Sequence, residues 1–401
     1  MRPFLISSFT ATSSLGAGLG PLLEALLASR SGLAPCRFET VKLDTFVGEV
    51  AGVDAQALPA GLAAFDCRNN RLAELALRQD GFADAVAAAA ARHGPKRIGV
   101  FIGTSTAGIL ETEIAYRNRD PRTGALPAGL DYRRTHNAHS VAEYTRERLR
   151  LAGPSVAVST ACSSSAKVFA IGARMIAAGV IDAAVVGGVD SLCLTTLHGF
   201  DSLQLLSAQP CRPWDAGRDG ISIGEAGAYF LLEREAAGTP AQALRLLGAG
   251  ESSDAYHMSS PHPEGLGARL AMESALASAG LAPADIDYVN LHGTATPSND
   301  AAEDKGVYAV FADTVDCNST KGATGHALGA AGAIEAAIAL LAIRHGFIPA
   351  SPGTREPDPA LRVRYRTALE RRPVARVLSN SFGFGGSNCS LVFGSRPGSA
   401  P

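Results

Sequence analysis

The chain has 401 residues, 46% of them hydrophobic and 18% charged, with 43 glycines and a formal net charge of −2. A chain of this length and apolar content buries a large core and has room for two domains or one duplicated domain, which excludes an intrinsically disordered protein. The near-neutral charge offers no global attraction to nucleic acid or to an anionic membrane, so an acidic partner has to be met by a local patch.

The opening MRPFLISSF has neither the apolar stretch nor the small-residue cleavage site of a signal peptide. Seven cysteines (Cys36, Cys67, Cys162, Cys193, Cys211, Cys317 and Cys389) are an odd number with no CxxC spacing. That pattern argues against a disulfide framework or a zinc site and for a reducing, cytoplasmic setting. Short β-rich runs then alternate with Ala-rich ones. Strands are predicted over 97–102 (RIGVFI), 155–159 (SVAVS), 183–187 (AAVVG), 228–232 (AYFLL), 288–291 (YVNL) and 390–393 (SLVF). Helices are predicted over 72–93, 164–178, 267–279 and 329–343. This alternation predicts an α/β protein with helices covering mixed sheets. Residues 118–135, with RNRDPRTGALPAGLDYRRT, read as a loop or flap, and the tail from Ser395 to Pro401 reads as unstructured. The most membrane-like run, ALGAAGAIEAAIALLAI, is slightly short for a span and carries Glu335 at its middle; a helix buried in protein explains it better.

Two segments share one plan. SVAVSTACSSSAKVFAIGARMIAAG runs strand, small-residue turn, buried helix, and TVDCNSTKGATGHALGAAGAIEAAIALLAI repeats it, with Cys162 and His326 at the turns. The expectation is an internal duplication, residues 1–240 and 241–401, with a boundary near Pro240.

Cys162 sits where a strand passes into a helix, and helix N-terminal N–H groups stabilise a thiolate and can hold an oxyanion. The plain alternative is a small buried apolar residue. His292, in NLHGTATP, follows a strand end, where α/β proteins place reactive groups; a satisfied structural histidine is the competing reading. His326 is flanked by glycines that permit close approach of a ligand, or it merely caps a helix. A fully apolar helix around Glu335 demands a partner for that carboxylate, and Lys321 is the nearest candidate in sequence, a tether that would also fix the loop carrying His326. NSFGFGGSN is a poor phosphate loop, since no helix follows it. It reads instead as a glycine turn, Gly383, Gly385 and Gly386, that presents Phe384 as an apolar gate, or as an ordinary β-turn. Together these residues supply one soft nucleophile and two acid/base or hydrogen-bonding groups, the kit for acyl transfer through a covalent thioester.

VSTACSSS, CRPWDAGRDGISIGEAGA, NLHGTATPSND, STKGATGHALGAAGAIEA and NSFGFGGSN, in this order from Ser159 to Asn388, resemble the β-ketoacyl-ACP synthases of the elongating class. The resemblance implies a thiolase fold, two duplicated halves in a five-layer αβαβα core, as a homodimer or a heterodimer with a related ketosynthase or chain-length-factor subunit. It implies that Cys162 accepts the acyl group, that His292 and His326 are the active-site histidines, and that Lys321 and Glu335 support the second. It makes Phe384 the gatekeeper, Thr294 and Thr296 the threonines that bind pantetheine, and Asp300 and Glu303 the braces of the site. Ile109, in GTSTAGIL, would control chain length from a tunnel-facing part of the flap. Acyl carrier protein would bring the 4'-phosphopantetheine, Arg68 and Arg71 would dock it, and the site would need no metal and no other cofactor. Asn299 stands where the family often has glycine, and Gly322 and Ala323 are smaller than usual. The segment FDCRNNRLAELAL is closer to synthases of aryl-polyene and related pigment clusters.

A non-catalytic chain-length-factor-like partner typically lacks the cysteine, which this chain retains. Thiolase proper needs a second cysteine in a Cys-x-Gly turn, where this chain reads GFGG. Class III starter synthases carry asparagine in place of His326, and no Cys-Trp context supports a papain-like protease.

Overall fold

The computed structural model describes residues 1–395. All but Ser395 of the tail expected to be unstructured lies outside them. Ten strands carry the architecture: β1 (Phe4–Ser13), β2 (Ile98–Gly103), β3 (Ser155–Val158), β4 (Ala183–Asp190), β5 (Ala226–Arg234), β6 (Arg245–Ser253), β7 (Tyr288–Asn290), β8 (Asp316–Asn318), β9 (Arg376–Gly383) and β10 (Ser387–Gly394). The helices are α1 (Leu19–Leu27), α2 (Arg68–Leu77), α3 (Phe82–His93), α4 (Ile109–Arg117), α5 (Ser140–Arg148), α6 (Ser164–Ala177), α7 (Leu194–Ser202), α8 (Leu266–Ala279), α9 (Pro297–Phe311) and α10 (Ala331–His345).

The strands form one continuous path, β8-β7-β9-β10-β6-β1-β5-β4-β2-β3. Its two halves follow the same pairing order. In the first, β2 pairs in parallel with β3 and β4, then β4–β5 and β5–β1 are antiparallel. In the second, β7 pairs in parallel with β8 and β9, then β9–β10 and β10–β6 are antiparallel. A short antiparallel contact, Phe4 opposite Leu246 and Leu5 opposite Arg245, joins them. Pro240 lies in the linker between β5 and β6, and the buried Arg245 guanidinium pins that linker by donating to the carbonyls of Pro240, Ala241 and Ala243.

Three apolar clusters define five layers. One fills the space between the first half-sheet and α2, α3 and α5; another lies between the second half-sheet and α8 and α9. The largest is the middle layer, where α6 and α10 are packed between both half-sheets. Residues 331–342 of α10 are all buried, as the uninterrupted apolar run requires. The membrane-like stretch Leu328–His345 is this core helix, 83% buried in protein. The glycine-rich strands allow α6 to sit directly on the sheet. A Cβ at Gly103 would lie 2.3 Å from Ser165 N, and one at Gly188 would lie 2.5 Å from Ser165 Cβ.

The six predicted strands form, three of them longer than the apolar run that marked them. The predicted 72–93 helix is two helices, α2 and α3. Asp80 and Gly81 take positive φ, 54° and 66°, and Asp80 turns its carboxylate back to Leu19 N and Thr10 Oγ1. A left-handed pair breaks a helix whatever the composition on either side. Between α4 and α5, residues 118–139 contain only turns and bends.

Candidate active site

The site is assembled beyond the ends of β3 in the first half and of β7 and β8 in the second. After β3 the chain makes a sharp elbow: Ala161 has a φ of 51° and α6 begins at Ser164. Ser163 Oγ donates to Thr160 O at 2.9 Å and Ser164 Oγ donates to Ala161 O at 2.5 Å, so the small hydroxyl residues of TACSSS hold the elbow shut on itself. Cys162 is left at the tip, buried, in a narrow cleft with His292, His326, Thr294, Thr296, Phe200 and Phe384. A larger groove at the opposite end of the strands, floored by alanines of α6 and rimmed by Arg2, Arg174 and Arg234, is lined by no cysteine or histidine.

His326 Nε2 is 3.1 Å from Cys162 Sγ. The ligating atoms of Cys162, His292 and His326 all lie within 4.8 Å of one another, and the two imidazoles meet edge to face with centroids 5.2 Å apart. His326 is fixed by its backbone: its N–H donates to Ser222 O at 2.7 Å and its carbonyl accepts from Gly224 N at 3.0 Å. Its Nδ1 has no protein partner among the described residues, so either ring nitrogen is free to carry the proton.

His292 is oriented from behind. Glu303 accepts the backbone N–H of His292 and of Gly293, each at 2.7 Å, and the Asn380 amide at 3.1 Å. Asp300 accepts Trp214 N at 3.0 Å and Ala295 N at 3.2 Å. Burial pushes Glu303 up to about 7 and Asp300 to about 6 against these donors. Lys321 donates to the His292 carbonyl and to Glu335, the partner expected from the sequence, and lies 3.5 Å from His292 Nδ1. A lysine Nζ facing Nδ1 donates, which places the ring proton of His292 on Nε2. Burial, then the Lys321 charge, holds both histidines well below the usual imidazole range. They are neutral hydrogen-bonding groups at neutral pH. A thiol and two imidazoles are also metal-type donors, but the Lys321 charge against His292 opposes a cation and favours hydrogen bonding to an oxyanion.

One expectation is revised. Burial pushes the Cys162 thiol up to about 12, with Lys321 pulling in the opposite sense and Asp190 and Glu335 adding to the rise. The resting group is therefore a thiol, and His326 Nε2 is the base in contact with it.

Thr294 and Thr296 line the cleft with their hydroxyls 3.0 Å apart. Gly383 lies against the elbow, where a Cβ would sit 2.7 Å from Thr160 O and 3.3 Å from Cys162 N, and Gly385 takes a φ of 80° in the turn. Between them Phe384 is 38% exposed at the mouth, its ring 5.7 Å from Phe200. Asn299 also lines the cleft and donates to Asp300 at 3.2 Å.

Ile109, Arg68 and Arg71, expected from the sequence as site residues, lie outside the cleft lining. Ile109 opens α4 rather than lying on a flap loop. It packs on the apolar cluster of Leu110, Leu192, Leu197 and Ile221 behind the cleft and is not among the residues lining it. Arg68, expected on a docking face, is buried and paired: its side chain is 3% exposed, with Nε 2.7 Å from Glu225, Nη1 2.5 Å from Asp54 and Nη2 3.3 Å from Glu49. A charge on α2 reads as a solvated face in sequence, but three carboxylates distant in the chain converge on it. Arg71 keeps partial exposure and is held bidentately by Asp66 at 2.6 and 2.8 Å. Sequence reasoning missed Ser222, Asn380 and Asp190. Ser222 lies inside the motif CRPWDAGRDGISIGEAGA, which is where its role as the His326 support was to be found.

Family models for the β-ketoacyl synthase N-terminal domain and C-terminal domain match residues 6–237 and 244–355. The chain is 32% identical to a 3-oxoacyl-[acyl-carrier-protein] synthase 2 of Vibrio cholerae across 98% of this chain and 99% of the relative. Among solved structures it resembles a ketosynthase (ApeO) in complex with its chain length factor (ApeC) from Xenorhabdus doucetiae, at 38% identity and a TM-score of 0.88, covering 98% of both chains. A β-ketoacyl synthase from Burkholderia phymatum superposes with a TM-score of 0.87 at 28% identity, over 98% of this chain and all of that one. With both domain models in order and a full-length relative above 30% identity, the chain belongs to the β-ketoacyl synthase family of thiolase-fold acyltransferases.

Proposed function

We propose that this chain elongates carrier-bound acyl chains by decarboxylative condensation with malonyl-ACP, Cys162 being the acyl acceptor and His292 and His326 the groups that hold the enolate. The observation that carries the reading is the shared cleft in which Cys162 Sγ meets His326 Nε2 at 3.1 Å, with His292 alongside.

In the loading step His326 Nε2 takes the thiol proton as Sγ attacks the acyl thioester carbonyl. The carrier sulfur leaves and receives that proton, so His326 returns to neutral. Malonyl-ACP then enters, its pantetheine arm passing Thr294 and Thr296. Its thioester oxygen accepts a hydrogen bond from His292 Nε2–H and from His326 in the Nε2–H form. The bond to the carboxylate breaks, CO₂ departs, and the electron pair forms an enolate held by two neutral donors in a water-poor cleft. The enolate carbon attacks the acyl-Cys162 carbonyl; a C–C bond forms, the C–S bond breaks, and the thiolate of Cys162 takes up a proton from solvent water. Decarboxylation itself supplies the carbanion, so the chemistry calls for neither a redox cofactor nor a Lewis acid. Lys321 and Glu335 position His292, and Phe384 with Gly383 and Gly385 gates the cleft.

The partner is a second ketosynthase-like chain, either another copy or a chain length factor of the kind paired with ApeO. Strand β3 ends the sheet with one side unpaired and Val156 39% exposed, an edge that natural proteins cover. The halves 1–240 and 241–401 are the duplicated units, and the resemblance of FDCRNNRLAELAL points to a pigment-type rather than a housekeeping pathway.

The test is incubation with malonyl-ACP and a panel of acyl-ACPs, identifying the adduct on Cys162 and the extended product by mass spectrometry. Cys162→Ala is expected to abolish both. Undiminished condensation by that variant in its native dimer would overturn the reading in favour of a non-catalytic partner subunit.

A further inference from the structure

Asp190, at the end of β4, is completely buried and meets no cation among the described residues. Its carboxylate instead gathers the turn that follows β2. Oδ1 accepts Thr104 Oγ1 at 2.7 Å, Ser105 N at 2.8 Å, Thr106 N at 2.9 Å and Thr106 Oγ1 at 2.7 Å, while Oδ2 accepts Ser105 N at 3.0 Å. Burying a carboxylate without a counter-charge is costly even when it is hydrogen-bonded, and a neutral side chain would suffice to close a turn.

The gathered turn touches both parts of the catalytic apparatus. Ser105 Oγ donates to Ala161 O at 3.3 Å, the residue with positive φ that makes the elbow behind Cys162. On the other side lies the helical turn that follows His326. A Cβ at Gly329 would stand 2.7 Å from Asp190 Oδ2 and 2.7 Å from Ser105 Oγ, so that turn is pressed against the carboxylate itself. The nucleophile comes from the first half of the chain and His326 from the second. Asp190 and Ser105 are the point where the two loops bear on one object.

We propose that Asp190 is a positioning residue for the condensation, clipping the Cys162 elbow to the turn after His326 and setting the distance between sulfur and imidazole. This rests on Cys162 being the acyl acceptor. The carboxylate also acts on the thiol through its charge. The ionisable groups bearing on Cys162 are Lys321 from its single helical turn, Asp190 from β4, Glu335 from α10, and the two histidines; Lys321 lowers the thiol while Asp190 and Glu335 raise it. Neutralising Asp190 therefore makes the thiol easier to ionise while slackening its aim, opposite effects that a merely structural residue would not combine.

The test uses the full-length chain in its native dimer, with Asp190→Asn as the near-isosteric neutral variant and Ser105→Ala as the variant that cuts the elbow contact and keeps the charge. The Cys162 thiolate is titrated by ultraviolet difference absorbance against Cys162→Ala, and acyl loading and condensation are timed separately. Asp190→Asn is expected to shift the thiolate titration to lower pH, yet to lose about tenfold or more in both steps with the KM for malonyl-ACP changed less than about twofold. Ser105→Ala is expected to slow loading with its titration in place. Wild-type loading by Ser105→Ala overturns the proposal even if Asp190→Asn does not fold. An unshifted titration in folded Asp190→Asn, or a loss confined to KM, overturns it as well. Product formed by the wild type without any adduct on Cys162 removes the nucleophile assignment, and the proposal with it.

Discussion

Single residues decide the chemistry through their burial. Cys162 is a thiol at rest and depends on His326, whereas the neutral histidines depend on their dark, dry position for the hydrogen bonds they give. His326→Ala is expected to retain slow loading of Cys162 but to lose condensation by about 100-fold or more, and His292→Ala to spare loading further, since His292 does not contact the thiol. Single-turnover loading and steady-state product formation separate the two effects. Glu303 gives a stability test. Its folded value of about 7 lies above the ordinary carboxyl value of 4.5, so the folded state binds the extra proton, and its contribution to stability falls as pH rises from about 4.5 to 7. Glutamine mimics the protonated form. Its amide nitrogen leaves one of the two backbone N–H donors unmatched, so Glu303→Gln is expected to start less stable than wild type at pH 5 and to close part of that gap by pH 8, by on the order of 3 kcal/mol at most, in denaturant titrations.

At the scale of elements, α10 shows how far an apolar pattern can be read. Twelve consecutive buried residues with one carboxylate predict a core helix and a basic partner, and Lys321 supplies it. Helix α2 shows where such reading stops. CRNNR carries its charges at the start of an amphipathic run, which in sequence is indistinguishable from a solvated, basic docking face. The fold instead brings Glu225, the residue before β5, and Glu49 and Asp54 from a loop, onto the Arg68 guanidinium. Arg68→Ala should therefore cost about 3 kcal/mol or more, because Glu225 is left buried without its counter-charge, and leave the KM for carrier-bound substrate within about twofold. Thermal melts and kinetics on the same preparation check both statements. A large KM rise in a fully stable Arg68→Ala protein would restore the docking role.

For the whole molecule, the repeated strand order β3-β2-β4-β5-β1 and β8-β7-β9-β10-β6 places equivalent strand ends side by side, so one cleft collects its groups from both halves. The same topology leaves β3 as an open edge. Val156→Asp places a charge on that edge and, in a self-paired dimer, sets like charges facing each other, so sedimentation velocity is expected to show a shift from dimer to monomer with the fold retained. An unchanged dimer would mean that the partner covers another face.

What the sequence by itself determined is local and chemical. Each reactive side chain follows an apolar run and precedes a small-residue turn or helix, so Cys162, His292 and His326 were visible as strand-end groups, and so were the doubled strand–turn–helix plan and the buried Lys321–Glu335 pair. These follow from periodicity, from burial of apolar runs and from the need of a buried charge for a partner, all of which act over a few residues or one helix. Tertiary structure alone decided what depends on pairs far apart in the chain. It placed Arg68 under three carboxylates and Ile109 behind the cleft, broke the 72–93 run at Asp80, and set Ser222 against His326 and Asp190 between the two catalytic loops. No local pattern encodes those contacts, because their partners are chosen by sheet order and not by sequence spacing.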